Sequence, residues 1–580
     1  MDALLSEVAA AGVVLGLSDG PPPPPLAAPA LARALAAAQD PKTLLQLARA
    51  FRRMLSVARS PPIDAVLAAG ALPRLVELLA LDAQPRLLFE ALWALTNIAA
   101  GTSEHTRAVI DAGAVPECAR LLASPDPDVR GQAVWVLGNV AGDCVAARDA
   151  VLATPGALPQ LLAAITPAAK PAFLKNAAWA LANLCRGKPP PPLRVTRQLL
   201  PKLTELITSE DKDVQQDALW ALAYLSDGGE DQLSACLEAG ALPRVVQLLA
   251  SPHPAVVTPA LRICGNFATG DDLTTQAVLN ADLLLAAPTL LATASHSHSV
   301  RQEACWVLSN VCAGTRGQIQ AVFDANVLPQ LMQLAAAAEA DVRHEAGWVL
   351  SNCTCGGSES HVYDLVRLGA LPAMAGALGA SLDNAQLCAA LVEGLENILQ
   401  KPVPLGRPGA DGLPLHGYYL GLMEAAGVPR AVNRAADVCV TAAAFMKRWL
   451  PEWEDTLVIE RLAPSGQVAR LASCTTCWLA ARACACAERG HECAICQDPD
   501  NEGDGPWTAL GCGHLFHERC ISRWAAHAST GARAVARHTG AMPSFTEAHC
   551  PLDRKCFTCV VRLPRGGGEE RAEHLRVVDE

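Results

Sequence analysis

The chain has 580 residues, about four times the ~150-residue prior for one domain, so it is several domains or a repeat array. Apolar residues make up 51% and the mean hydropathy is +0.22, which excludes global disorder. The net charge of −12 argues against a nucleic-acid binder that works through a basic surface; residues 471–580 hold 12 basic and 14 acidic side chains, so most of the negative charge precedes them.

The stretch MDALLSEVAAAGVVLGLSDG has no basic leading region and carries acids, so a secretory signal is not expected. No uncharged apolar run reaches the ~18 residues of a membrane span, so neither a membrane nor a nucleic acid is an expected partner. Of the 22 cysteines, eleven are scattered from Cys118 to Cys439 and eleven crowd between Cys474 and Cys559. In an intracellular, reducing compartment such a crowd reads as metal ligands rather than disulfides.

In chain order, residues 1–29, with the run Pro21–Pro25, read as a flexible, Pro-rich tail. Residues 30–450 read as a repeat array. ALWALTNIAAG (91–101) recurs as AVWVLGNVAGD, AAWALANLCRG, ALWALAYLSDG, ALRICGNFATG, ACWVLSNVCAG and AGWVLSNCTCG. The aligned Trp93, Trp135, Trp179, Trp220, Arg262, Trp306 and Trp348 lie 42, 44, 41, 42, 44 and 42 residues apart, so six of the eleven tryptophans belong to one structural position. A second marker, Gly-Ala-Leu-Pro or a close variant, begins at Gly70, Gly113, Gly156, Gly240, Asn326 and Gly369. Glycine, or Asn326 in its place, allows positive φ, and the proline starts a helix. Each unit therefore reads as a short helix, a turn, a second helix, a polar turn and a longer third helix that bears the tryptophan. That period and helix count predict an all-α armadillo-repeat solenoid with a right-handed superhelical twist. KPVPLGRPGADGLPLHG (401–417) reads as an inserted loop before a last degenerate repeat.

Asparagine follows tryptophan by four residues in Trp93/Asn97, Trp135/Asn139, Trp179/Asn183, Trp306/Asn310 and Trp348/Asn352. Residues i and i+4 share one helix face, so the array presents rows of indoles and carboxamides. Carboxamides can clamp the backbone of an extended peptide, and neighbouring indoles can hold the stems of Lys or Arg, with cation–π attraction of ~0.5–2 kcal/mol each. Asp143, Asp272, Glu303 and Glu345 are candidate partners for the charged heads. The alternative is that the indoles and carboxamides only pack between repeats. Buried asparagine is costly without partners, and the ladder is interrupted at Trp220/Tyr224 and Arg262/Asn266, which favours two binding runs.

These residues, together with PPIDAVL (61–67), ALWALTNIAAGTSE (91–104), LCRGKPPPP (184–192) and VVTPALRICGNFATGDD (256–272), resemble the importin-alpha family, over about residues 45–450. The resemblance implies a receptor for nuclear localisation signals that works in cytoplasm and nucleus. It implies a major peptide site at Trp93, Asn97, Thr106, Trp135, Asn139, Asp143, Trp179 and Asn183, and a minor one at Trp306, Asn310, Trp348 and Asn352 with the acids Glu303 and Glu345. The family's basic importin-beta-binding segment has no match, because residues 1–60 contain six basic residues and no run longer than Arg52–Arg53. Importin-beta is accordingly not an expected partner.

Residues 451–490 read as a linker in which Cys474, Cys477, Cys484 and Cys486 are either a further zinc site or small buried hydrophobes. Residues 491–561 carry Cys493-x2-Cys496, x15, Cys512-x-His514-x2-His517-x2-Cys520, x29 and Cys550-x2-Asp553, eight potential zinc ligands in alternating pairs. Cys556, Cys559 or His549 are alternatives to Asp553. This spacing resembles a RING-type zinc finger. The resemblance implies two zinc ions, one held by Cys493, Cys496, His517 and Cys520, the other by Cys512, His514, Cys550 and Asp553. It further implies recruitment of a ubiquitin-conjugating enzyme by Ile495, Trp524 and Pro551, with Arg554 holding the ubiquitin tail. The bland counterpart is that Ile495 and Trp524 are domain core and Arg554 surface charge. A RING ligase positions a charged conjugating enzyme, so no catalytic nucleophile is expected. Residues 562–580 read as a charged tail. The expectation is a basic-signal receptor fused to a ubiquitin ligase. The alternatives are a nuclear import adaptor with a structural RING and a non-catalytic scaffold.

Overall fold

The computed structural model describes residues 1–15, 21–292, 296–337, 339–405, 407 and 417–451, together with two strands near the end of the chain. Residues up to 451 are built from helices and turns, and they divide between two units, one ending at Leu331 and one starting at Met332. Up to residue 451, each unit is an all-α solenoid of stacked helical repeats.

The second repeat shows why these residues fold this way. Thr102 caps the helix Ser103–Asp111 by accepting from the His105 amide, with the His105 ring accepting back from Thr102 N–H. Gly113, at φ +81°, turns the chain into Ala114–Leu121. Asp126 then caps a third helix whose first residue is Pro127. Asn326 takes the same turn at φ +54°. Asp282, at φ +67°, does so in the repeat where no glycine marker is visible in the sequence. The fourth repeat has no residue suited to that turn, and its first two helices merge into one, Leu193–Leu206.

Third helices of the first unit are Pro41–Leu55 (α1), Pro85–Ala99 (α2), Pro127–Asp143 (α3), Pro171–Cys185 (α4), Lys212–Ser226 (α5), Pro254–Thr269 (α6) and His298–Cys312 (α7), and each packs on the next. The core lies between them: in α2 alone Ala91, Leu92, Ala94, Leu95 and Ile98 are fully buried. Burial of one such leucine stabilises by about 1.5–3 kcal/mol, which no single repeat could gain in isolation. In the second unit Ala340–Gly356 (α8) packs on Ala385–Gln400 (α9), and α9 on Val440–Trp449 (α10).

Two stretches differ from expectation. Within residues 1–29, Asp2–Ala10 is helical rather than extended; Val8 and Val13 are buried and Glu7 pairs with Arg33 at 2.8 Å. Its apolar residues find a surface on Ala28–Ala37, the helix it packs against. Across the boundary between the zinc-ligand segment (491–561) and the charged tail (562–580), Val560–Pro564 (β1) pairs antiparallel with Glu570–His574 (β2), with Val560 opposite His574. Much of the inserted loop (406 and 408–416) lies outside the described residues.

Candidate functional site: the tryptophan–asparagine ladder

The ladder residues stand at equivalent positions on successive third helices. Trp93, Trp179, Trp220 and Trp306 are half-buried, whereas Trp135 is 38% exposed. Part of each indole is committed to packing. A Cβ on Gly138 would lie 2.3 Å from Trp179, and one on Gly265 1.9 Å from Trp306, so these rings lie against glycines of the preceding third helix. The packing reading therefore covers one part of the ring, seated on the neighbour, and the remainder is open.

The asparagines divide their work in the same way. Asn97 donates through Nδ2 to Ser56 Oγ at 3.1 Å, Asn139 to the Thr96 carbonyl at 3.0 Å, and Asn183 to the Gly138 carbonyl at 3.0 Å. Asn266 donates to the Ala223 carbonyl at 3.0 Å and Asn310 to Thr269 Oγ1 at 2.8 Å. The NH2 end ties each rung to the preceding repeat. No donor among the described residues reaches Oδ1 of these five side chains, so the carbonyl end is the one left for an incoming N–H. Each NH2 has two N–H groups: Asn266 uses both, on the Ala223 carbonyl and Ser226 Oγ, whereas Asn97, Asn139, Asn183 and Asn310 use one and keep the second.

Two ladder indoles carry cations from the chain itself. The Arg52 guanidinium lies over Trp93 at 4.7 Å, and the Arg262 guanidinium over Trp306 at 5.0 Å. Each is held by a carboxylate three residues before the tryptophan. Glu90 receives Arg49 at 2.8 Å and Arg52 at 2.6 Å, and Glu303 receives Arg262. Glu303, expected to meet a ligand's charge, thus already has a cation. Asp143 accepts from Ser103 Oγ at 2.6 Å. Thr106 is 1% exposed and its hydroxyl donates to the Ala99 carbonyl at 3.1 Å, so that hydroxyl serves the fold. Asp272 is exposed, at the start of the helix Asp272–Asn280. At the interruption, Trp220 and Tyr224 stack on one another at 5.9 Å. In the second unit, Trp348, Asn352 and Glu345 are half-buried on α8.

Asp217 escaped the sequence reading. It precedes Trp220 by three residues, the spacing of Glu303 from Trp306 and of Glu345 from Trp348, and that repeated spacing was the signal available. It is half-buried, and burial together with the nearby Asp213 charge pushes its carboxyl up to about 6. Lys175 is taken by Asp211 at 3.2 Å and Asp213 at 2.6 Å. Asp217 itself has no ion pair among the described residues.

Nine of the eleven cysteines in the repeats are buried. Burial pushes the Cys118 and Cys185 thiols upward and those of Cys236 and Cys264 up to about 12, which makes them core apolar residues rather than nucleophiles. Among the described residues no group of His, Cys, Asp and Glu could hold a metal ion. The zinc-ligand candidates Cys493, Cys496, Cys512, His514, His517, Cys520, Cys550 and Asp553 lie outside the described residues. So do Ile495, Trp524, Pro551, Arg554 and the cysteines at 474–486.

Comparison with known proteins bears on both halves. The model of the Armadillo/beta-catenin-like repeat matches residues 59–100, 102–142, 147–186 and 315–355, a HEAT-like repeat matches 171–225, and a Ring finger domain matches 491–554. A crystal structure of an engineered protein superimposes with a TM-score of 0.63 at 26% identity, covering 73% of this chain and 99% of that one. Importin subunit alpha-4 of Arabidopsis thaliana is 47% identical over 361 residues, which is 62% of this chain and 66% of that protein. Importin subunit alpha-1b of Oryza sativa subsp. japonica is 40% identical over 447 residues, 76% of this chain and 81% of that protein. With that identity over four-fifths of a curated relative, the chain belongs to the importin-alpha family, and it carries a RING finger domain besides.

Proposed function

We propose that the protein captures Lys/Arg-rich linear signals of the nuclear-localisation type along its ladder, and that its RING finger recruits a ubiquitin-conjugating enzyme to modify what is captured. The observation that carries the first half is the seating of Arg52 and Arg262 on Trp93 and Trp306, each against a carboxylate three residues upstream. The ladder accepts guanidinium groups from its own chain in the geometry a peptide's cation would use. Open Asn carbonyls beside those rings would take the peptide's N–H groups. Such a receptor works where such signals travel, in cytoplasm and nucleus.

For the second half, eight thiolate, imidazole and carboxylate donors in alternating pairs suit two tetrahedral zinc sites. The Ring finger match ends at residue 554, so it takes in Cys550 and Asp553 and stops short of Cys556 and Cys559, which supports Asp553 as the eighth ligand. Bound zinc would hold the loops of this small domain together. Ile495, Trp524 and Pro551 would offer the conjugating enzyme an apolar seat, and Arg554 would hold the ubiquitin tail. Transfer is then positioning, with the bond made on the enzyme that docks. The test is ubiquitin transfer to a substrate with and without a fused Lys/Arg-rich signal. Transfer should be at least tenfold faster with the signal, and equal rates overturn the coupling of the two halves.

Identity to importin subunits along the repeats favours a second reading, a nuclear import adaptor with a structural RING. Binding of importin-beta to residues 1–60 would decide for it.

Asp217 gives the peptide binding a pH signature. Its carboxyl, pushed up to about 6, is charged at neutral pH and loses that charge as the pH falls toward 5. Affinity for a basic peptide should therefore fall between pH 7.5 and pH 5, and Asp217→Asn should remove part of that fall while weakening binding at pH 7.5. Because the folded value is raised, the same group opposes folding above pH 6 and ceases to do so below pH 4, so the Asn variant should melt no lower than the parent at neutral pH. Titration calorimetry across the range checks the affinities and thermal melts check the stability; identical binding profiles for parent and variant refute the role of Asp217.

A further inference from the structure

The two internal cations are not equivalent. Around Trp93 the carboxylate is saturated: Glu90 Oε1 accepts from Arg49 Nε and Oε2 from Arg52 Nε, and the Arg52 side chain is only 16% exposed. That cluster is a wall. Around Trp306 the arrangement is half-complete. Arg262 occupies the ladder position where the other repeats carry tryptophan, and its side chain is 45% exposed. It engages only Oε1 of Glu303, whose Oε2 is buried with no hydrogen-bond partner. Burial pushes the Glu303 carboxyl up against the opposing pull of Arg262. A buried carboxylate oxygen without a donor is costly, and a planar guanidinium can satisfy both oxygens at once where Arg262 satisfies one.

We propose that Arg262 is an internal ligand of the Trp306–Glu303 cation slot, a displaceable plug that a peptide's arginine or lysine must push aside. The inference rests on the proposed binding of basic peptides and adds to it a competitor built into the chain. It makes the slot selective: an arginine that pairs with both oxygens of Glu303 displaces the plug more readily than a lysine, which offers a single point charge. It also makes the slot weaker for any cation while Arg262 is in place, since part of the binding free energy goes to moving Arg262 out.

The test uses full-length protein carrying Trp135→Ala and Asn139→Ala, so that the first run is disabled and the remaining binding reports on Trp306. Arg-rich and Lys-rich peptides are titrated by calorimetry against this parent and against added Arg262→Ala or Arg262→Gln. Both additions should tighten binding about tenfold for the lysine peptide and less for the arginine peptide, and adding Trp306→Ala should abolish the gain. Thermal melts identify any variant that fails to fold, and the glutamine variant, which keeps bulk and a donor for Glu303, guards against that failure. Unchanged or weaker binding in a folded Arg262 variant overturns the plug while leaving the receptor reading intact. If protein with both runs unmutated binds neither peptide, the receptor reading fails and the plug falls with it.

Discussion

Replacing Trp135 and Asn139 together by alanine should weaken capture of a Lys/Arg-rich peptide by about a hundredfold, with the solenoid still folded. Trp135 is the most exposed rung of the first run, with one indole neighbour on each side, so in the proposed receptor its ring would line two cation slots. Each lost cation–π contact removes ~0.5–2 kcal/mol, and the lost acceptor at Asn139 Oδ1 about 0.5–1.5 kcal/mol. A hundredfold corresponds to about 2.7 kcal/mol, within that sum. Asn139 also donates to the Thr96 carbonyl at 3.0 Å, so the melting temperature should drop by a few degrees as well. Calorimetric titration with circular dichroism separates the two effects. A dissociation constant within threefold of the parent's would mean that the ladder only packs repeats together.

The second large effect belongs to the RING. Cys512→Ser, or treatment with a strong chelator, should reduce ubiquitin transfer to background and leave peptide capture unaltered, because the described repeats hold no group that could bind a metal. Metal analysis should find two zinc ions per chain before treatment. Ile495→Ala should retain that zinc and still lower transfer at least tenfold, if Ile495 is part of the proposed apolar seat for the conjugating enzyme and not a ligand. Undiminished transfer by Ile495→Ala would sink the recruiting role of this residue, and loss of peptide capture on chelation would show that the two halves fold as one.

Much of the first unit was legible from spacing. Six tryptophans on a beat near 42 require one position per repeat, and Asn326 in the glycine position follows from its tolerance of positive φ. The family likeness pointed to the same rungs. Asp282 was hidden because aspartate at positive φ has no neighbouring marker to announce it, and the merged helix Leu193–Leu206 was hidden because nothing stands where the glycine should be. The helix Asp2–Ala10 lay beyond reach, since a short segment becomes helical here through burial of Val8 and packing on the helix Ala28–Ala37.

The site divides along the same line. Residue type and spacing were enough to place the indoles and the carboxamides on equivalent turns, because helical periodicity is local. Which neighbour each carboxamide holds, whether an acid is open or already paired, and which rings carry an arginine from the neighbouring repeat were settled only in three dimensions. Arg52 and Glu90 are 38 residues apart, and Arg262 and Glu303 are 41 apart. Contacts between adjacent repeats join residues one period apart, and their partners are chosen by how the third helices pack, which no single repeat encodes.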